Sequence, residues 1–545
     1  MEFSTIDTIV FCAYALVIVA LGLWVSRDKE GHQKNATDYF LAGKSLPWWA
    51  IGASLIAANI SAEQIIGMSG SGFAVGLAIA SYEWMAAVTL IVVGKYFLPI
   101  FIEKKIFTIP EFVEKRFNTT LKTILAVFWI ALFVFVNLTT VLYLGALALD
   151  TIMGTGDGSL MIYALIGLSA IAAAYSLYGG LAAVAWTDVL QVALLVLGGF
   201  VVTFAGLYNV TPEGGIFNGL AHIYDVAGEK FTMILDQSNP EYSNLPGIAV
   251  LIGGMWVANL YYWGFNQYII QRTLAAKSLK ESQKGIIFAG FLKLLIPLIV
   301  VIPGIIVYVL FTQPEGTTQI SGVVDVFTRP DGSIKYDNAY PWLMKIFLTP
   351  GFLGLVVAAL AAAIVSSMAS MLNSVATIFT MDIYLPYIRK DATDKQTVNM
   401  GRISAGIALI VGVIMAPQLD SVPQVFQYIQ EYTGMVSPGI LAVFLMGLFW
   451  KKTTSKGAIY GVLASIVIAV FLKTPAVQLP FLNQMFYTLI STIVIIAGVS
   501  LTTNPHDEDP KAIHTTADMF KTSPAFNIGA YVILILVAIL YAAFW

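Results

Sequence analysis

Apolar residues run through this chain in blocks of about twenty, long enough as helices to cross a hydrocarbon layer. The blocks predict an all-α polytopic membrane protein of about fourteen transmembrane helices. The spans lie near Ile6–Val25, Pro47–Gly72, Ala78–Ile102, Leu121–Leu149, Leu160–Tyr178, Leu181–Tyr208 and Ile248–Ile270. The rest lie near Gly285–Phe311, Gly351–Tyr384, Ile403–Met415, Val425–Phe449, Gly457–Leu472, Met485–Leu501 and Ile528–Phe544. Polar residues interrupt the blocks in two telling places. In Ser54–Gly72, Asn59, Ser61, Glu63 and Gln64 crowd together and Gly67, Gly70 and Gly72 follow. In Ala258–Arg272, Asn259, Tyr261, Tyr262, Trp263, Asn266 and Gln267 interrupt a second helix beside Gly253, Gly254 and Gly264.

A carboxylate near mid-bilayer costs about 2.5–3.5 kcal/mol on insertion scales, so such groups face protein, water or a ligand. A packed polar contact between helices is one reading of the first break; a broken helix lining a solute and ion site is the other. Two broken helices five spans apart suggest two repeats of five helices. An odd number of spans inverts the second copy, the arrangement that places a transport site near the midplane. A third cluster, Phe426, Gln427, Gln430, Glu431 and Tyr432 beside Gly434 and Pro438, predicts one more interrupted or kinked helix.

Composition narrows the class. With 58% hydrophobic and 11% charged residues in 545, the chain exceeds what a soluble core hides. The net charge of -3 matters less than its distribution. Basic residues gather in alternate loops: Arg27, Lys29, Lys34 and Lys44; Lys104, Lys105, Lys115 and Arg116; Arg272, Lys277, Lys280 and Lys284; Arg389, Lys390 and Lys395; Lys451, Lys452 and Lys456. These loops are placed inside, and both termini outside, in a plasma membrane. Ile6–Val25 reads as a retained span with no cleavage signal. A single cysteine, Cys12, excludes an internal disulfide and a cysteine metal site. All four histidines, His32, His222, His506 and His514, fall in loops, against a histidine proton relay. No phosphate-binding loop or soluble catalytic domain is recognisable, so the chain reads as one membrane domain and not an enzyme. Transport then draws on an ion gradient or runs passively.

Further polar residues mark the chemistry. Tyr82 and Glu83 open the third span; an interfacial carboxylate is the plain alternative for Glu83. Asn137, inside the fourth span, suits a helix–helix hydrogen bond as well as a ligand. Lys293 lies too deep in the eighth span to snorkel easily and calls for a carboxylate or a solute oxygen. Ser366, Ser367, Ser370 and Ser374 in the ninth span serve close packing or offer neutral oxygens to a hard cation. Amides and carboxyls with one lysine and several aromatics suit a neutral polyhydroxylated solute. Hydroxyls donate and accept in pairs with amides and carboxylates, and aromatic faces cover the C–H side of a sugar ring.

The stretches YSLYGGLAAVAWTDVLQ (Tyr175–Gln191), QRTLAAK (Gln271–Lys277) and AAAIVSSMASMLNS (Ala361–Ser374) resemble the sodium/solute symporter family. Gly179, Gly180 and the following WTDVLQ carry its signature. The resemblance runs over nearly the whole chain and is strongest to the family's bacterial sodium/galactose (sodium/glucose-type) members. It implies a LeuT-like core of five-plus-five inverted repeats, 47–208 and 248–449. One extra helix (6–25) precedes that core and three more, within 457–545, follow it. By position it implies substrate contacts from Gln64, Glu83, Asn259, Lys293 and Gln430, with Asn137. Tyr262 becomes the inner gate supported by Trp263, and Met68, Tyr82 and Phe426 the outer gate. It implies a sodium site of carbonyls from Ala57, Ile60 and Ala363 and hydroxyls from Ser366 and Ser367, with Asp188 on the sodium exit path. Where the galactose members have a sugar-contacting Ser, this chain has Ala86.

The reading that follows is sodium-coupled uptake of galactose or a related hexose by alternating access. The alternative on the same fold is an amino acid, sialic acid or another organic anion. An anion wants a net positive site, whereas Glu83 balances Lys293. A membrane subunit of a proton-pumping redox complex needs a chain of mid-membrane Lys, Glu and His that is scarce here. A sensor or passive channel on the same scaffold is the remaining alternative.

Overall fold

The computed structural model of the protein describes residues 3–25, 45–106, 108–154, 158–176, 181–313, 322–503 and 508–545. Among these the regular structure is helical, with two isolated bridges (Leu46 with Ala276, Thr328 with Ile334) and no strand. Gly179, Gly180, His32, His506 and the basic group Arg27, Lys29, Lys34 and Lys44 lie outside the described residues. The principal helices in the first half are α1 (Thr5–Val25), α2 (Trp48–Asn59), α3 (Glu63–Ala74), α4 (Leu77–Glu103), α5 (Ile109–Arg116), α6 (Thr119–Met153), α7 (Met161–Ser176) and α8 (Leu181–Asn209). There follow α9 (Gly254–Phe265), α10 (Gln267–Leu274), α11 (Leu279–Thr312), α12 (Ala339–Phe347), α13 (Phe352–Ile388), α14 (Asp394–Met415), α15 (Val425–Phe449), α16 (Ser455–Leu472), α17 (Phe481–Thr503) and α18 (Pro524–Ala543).

By length and apolarity ten helices among the described residues can cross a membrane, eleven when α2 and α3 count as one bent span. That is fewer than the expected fourteen, for visible reasons. For the first and fifth spans, α1 and α7, the apolar stretches within the described residues are Thr5–Val17 and Met161–Ala173. The expected span Ile248–Ile270 is not one helix. It is split into Ala249–Ile252, α9 and α10, parted at Gly253 and at Asn266.

The first break is made by the backbone of Ile60, whose φ -76° and ψ 88° leave the helical region. Ser61 N–H turns back to Asn59 O, and Gln64 and Ile65 N–H both go to Ser61 O. The donors that a continuous helix would offer to the carbonyls of Ala57 and Ile60 thus have other acceptors. The axis bends by 63° between α2 and α3. A π-helical turn, Glu63–Gly67, opens α3; such turns gather at functional sites. Of the interruption or kink expected in the third cluster, the interruption is absent, because α15 runs unbroken from Val425 to Phe449 with Pro438 inside it. Its polar cluster occupies the first turns, where a helix tolerates unpaired groups without breaking.

The 34-residue α11 is the axis of the assembly. It packs along α2, α3, α4, α8 and α18. Two glycines allow the close crossings. A Cβ on Gly285 would stand 2.8 Å from the Trp48 carbonyl in α2, and one on Gly304 would stand 2.6 Å from the Phe73 amide in α3. On the far side α13 packs against α1, α7, α8 and α14, while α15 packs against α9, α16 and α17.

Candidate functional site

Both broken helices line one cavity. At the first break Asn59, Glu63 and Gln64 line it. Tyr82, Glu83 and Ala86 face it from the start of α4, and Asn137 from a π-helical turn of α6. Across from them stand Asn259, Tyr262, Trp263 and Asn266 at the second break, Lys293 from α11, and Phe426 and Gln430 from α15.

A hydrogen-bonded network joins these helices. Lys293 and Glu83 are each 1% exposed, and Lys293 Nζ meets Glu83 Oε2 at 2.5 Å. The same ammonium donates to Asn59 Oδ1 and lies 5.1 Å from the centre of the Trp263 ring, a cation–π distance. Gln64 Nε2 donates to Glu83 Oε1. Asn59 Nδ2 donates to the Tyr262 hydroxyl at 3.2 Å, and Tyr268 donates to that hydroxyl at 3.1 Å. Asn259 Nδ2 donates to Met255 O at 3.1 Å within its own helix. Glu63 is held by neutral groups, Thr140 Oγ1 at 3.2 Å and the Asn137 side chain. Among the described residues no cation pairs with it. On the other rim the Tyr82 and Phe426 rings meet edge to face, 5.1 Å apart at 90°.

Behind Asn59 a second cluster ties α2 to α8, α10 and α13. Asp188 Oδ2 accepts from Ser54 Oγ at 2.9 Å and faces Arg272 at 3.3 Å, and Asp188 Oδ1 accepts from Ser366 Oγ at 3.3 Å. Arg272 also donates to Ser54 Oγ at 2.9 Å and to Tyr268 O. Asp188 and Arg272 are nearly sealed.

Of the residues expected at the substrate, Gln64, Glu83, Asn137, Asn259, Lys293, Gln430, Tyr262 and Trp263 all line the cavity, as do the expected gate residues Tyr82 and Phe426. Met68 is wholly buried and off the cavity wall. Ala57, Ile60, Ala363, Ser366 and Ser367 lie off that wall as well, on α2, its break and α13. Sequence reasoning left Asn59, Glu63, Asn266 and Thr433 out of the site, although all four line it. The signal for Asn266 was present. Asn259, Tyr262 and Trp263 follow helical spacing, and Asn266 stands in the same polar run at the break that ends the helix.

The model of the Sodium:solute symporter family matches residues 39–465. The Sodium/glucose cotransporter of Vibrio parahaemolyticus is 62% identical over 542 residues, covering 99% of this chain and 98% of that protein. Sodium/glucose cotransporter 1 of Ovis aries is 32% identical over 533 residues, 92% of this chain and 79% of its own. Sodium/myo-inositol cotransporter 2 of Homo sapiens is 34% identical over 477 residues, 85% and 69% of the two chains. A substrate-bound outward-open structure of a Na+-coupled sialic acid symporter superposes with a TM-score of 0.76 at 22% identity, covering 94% of this chain and 100% of that one. The fold is therefore shared with that transporter.

Proposed function

This chain belongs to the sodium:solute symporter family, and from that premise we propose that it carries galactose or a related hexose into the cell with sodium. It is a multi-pass membrane transporter, not an enzyme, and sodium is its co-transported ion. The observation that carries the sugar reading is the charge inventory of the cavity. Lys293 is neutralised by Glu83, and Glu63 has no cationic partner among the described residues. No positive charge is left for a carboxylate cargo, while amides and carboxylates suit hydroxyls. The named relatives, sodium/glucose and sodium/myo-inositol cotransporters, handle neutral polyols, which supports the same class.

In this reading Gln64, Glu83, Asn137, Asn259, Lys293 and Gln430 bind the sugar, and Tyr262 covers it from the inner side with Trp263 behind. Tyr82 and Phe426, with Met68, close the outer side. Sodium binds at the first break to the carbonyls of Ala57, Ile60 and Ala363 and the hydroxyls of Ser366 and Ser367. Asp188 is the acceptor next along its exit. Neutral oxygens with a helix carboxyl end suit a hard monovalent cation. Sodium there holds the bend at Ile60 in a sugar-competent shape, and Asn59, the last residue of α2, passes that shape to Tyr262 and Lys293 through its hydrogen bonds. Fourteen spans in a LeuT-like inverted repeat, with the basic loops inside and both termini outside a bacterial inner membrane, complete the proposal. Ala86 offers the sugar a methyl where a hydroxyl would have bonded.

The test is radiolabelled galactose uptake by proteoliposomes under an inward sodium gradient, with potassium as the control. Sodium-dependent accumulation, competed by unlabelled galactose, is the expected result. Accumulation of an organic anion instead, with no hexose uptake, would overturn the sugar reading and leave sodium symport standing.

A further inference from the structure

Asn266 occupies the single extended residue, φ -83° and ψ 121°, between α9 and α10. Its side chain is 4% exposed, its Oδ1 is buried with no hydrogen-bond partner, and it stands on the cavity wall. The ordinary duty of an asparagine there is to cap the helix that follows. Here the side chain makes no cap bond; Ile269 and Ile270 N–H go to the Asn266 backbone carbonyl. The position is rigid. The Phe265 ring stacks on Phe444 at 4.4 Å and lies 4.9 Å from Phe97, and the Gln267 carboxamide oxygen accepts from Ile109 N at 2.7 Å. A fixed carboxamide whose Oδ1 is buried and unpaired is costly unless something in the cavity completes it.

Resting on the hexose reading, we propose that the Asn266 carboxamide, at the break between α9 and α10, is a specificity-determining hydroxyl contact for the cargo. An amide both donates and accepts, so a sugar hydroxyl satisfies it in either orientation. Asn259, Tyr262 and Asn266 line the same cavity, and the sugar gains one more polar contact from the break between α9 and α10. A cargo lacking a hydroxyl at that end leaves the amide unpaired and is discriminated against.

The experiment uses the full chain in proteoliposomes and competition of labelled galactose uptake by each monodeoxygalactose. Asn266→Ser keeps a group able to cap α10 but withdraws the amide, Asn266→Asp keeps the shape, and Asn266→Ala removes both. In the unsubstituted protein the deoxy sugar missing the contacted hydroxyl should compete about ten-fold more weakly than galactose. In Asn266→Ser and Asn266→Ala that one penalty should fall to about one-fold while the penalties at the other hydroxyls persist. Should Asn266→Ala fail to reconstitute, Asn266→Ser and Asn266→Asp decide the question. An unchanged set of penalties would overturn the contact. So would an equal loss of uptake for every sugar in Asn266→Ala that Asn266→Ser restores, since that is the mark of a helix cap. Absence of hexose uptake in the unsubstituted protein is a different failure, one that removes the sugar reading itself.

Discussion

Lys293 reaches the cavity from the interior of an apolar helix and finds Glu83, Asn59 and the Trp263 face waiting. Breaking one side of so buried a pair strands the other charge, at about 3–5 kcal/mol. Lys293→Ala and Glu83→Gln should each abolish sodium-dependent uptake and lower the thermal unfolding midpoint of the purified protein. The double substitution Lys293→Met with Glu83→Gln should regain most of the midpoint and none of the uptake. A midpoint unmoved by either single change would mean the pair is solvated. Outside the spans, Asp337 sits in the loop before α12 and caps the start of α15, its Oδ2 accepting from Val425 N at 3.0 Å. Burial pushes its carboxyl up to about 8, against the opposing pull of the Val425 N–H and Arg329. The native state therefore keeps a proton that the unfolded chain, at the model-peptide value of 3.8, has lost. Stability should fall as pH rises through that window and level off above about 8. Unfolding midpoints from about pH 5 to about pH 9 should show that slope, and Asp337→Asn should flatten it. The cavity residues were legible in the sequence because a polar side chain in an apolar run stands out in one dimension. The Asn59–Tyr262 and Ser54–Asp188 bonds were not, since they join positions 203 and 134 residues apart.

At the scale of elements the two breaks were legible for the same reason, through polar residues flanked by glycine. Of the two alternatives for α15, interruption or kink, the interruption failed instructively. Gln427, Gln430 and Glu431 crowd as densely as Asn59 to Gln64, but they fall within the first turns of a helix, where density implies only a beginning. Composition alone does not separate a helix that starts from one that restarts. The crossing of α11 over α3 carries its own prediction. Gly304→Leu would drive a side chain into the Phe73 backbone, 2.6 Å from where its Cβ would stand. Overpacking of this kind costs about 1–3 kcal/mol. A lower unfolding midpoint is expected, with sugar uptake impaired, because α3 carries Glu63 and Gln64 of the cavity wall. Normal uptake in Gly304→Leu would show that α3 can shift freely.

Over the whole molecule the arithmetic of charge decides which cargo fits. One sodium with a neutral sugar moves one charge inward, worth about 2.3 kcal/mol at 100 mV, or roughly fifty-fold in accumulation. Uptake should rise steeply when a potassium diffusion potential makes the vesicle interior negative. A singly charged anion carried with one sodium would be indifferent to that potential. An all-helical membrane fold was readable from the apolar blocks, because the membrane allows few alternatives to helices. The order of packing around α11 was not, since it depends on which glycines meet which backbones.

That packing has a mechanical consequence. Gly285 lets α11 press on α2, and Gly304 lets it press on α3, one contact on each side of the bend at Ile60. The fracture is thus set in a splint: one continuous rod spans both fragments. The bend cannot hinge loosely at its own weak point, and any swing of either fragment drags the rod, with Lys293 at its middle, along the same arc.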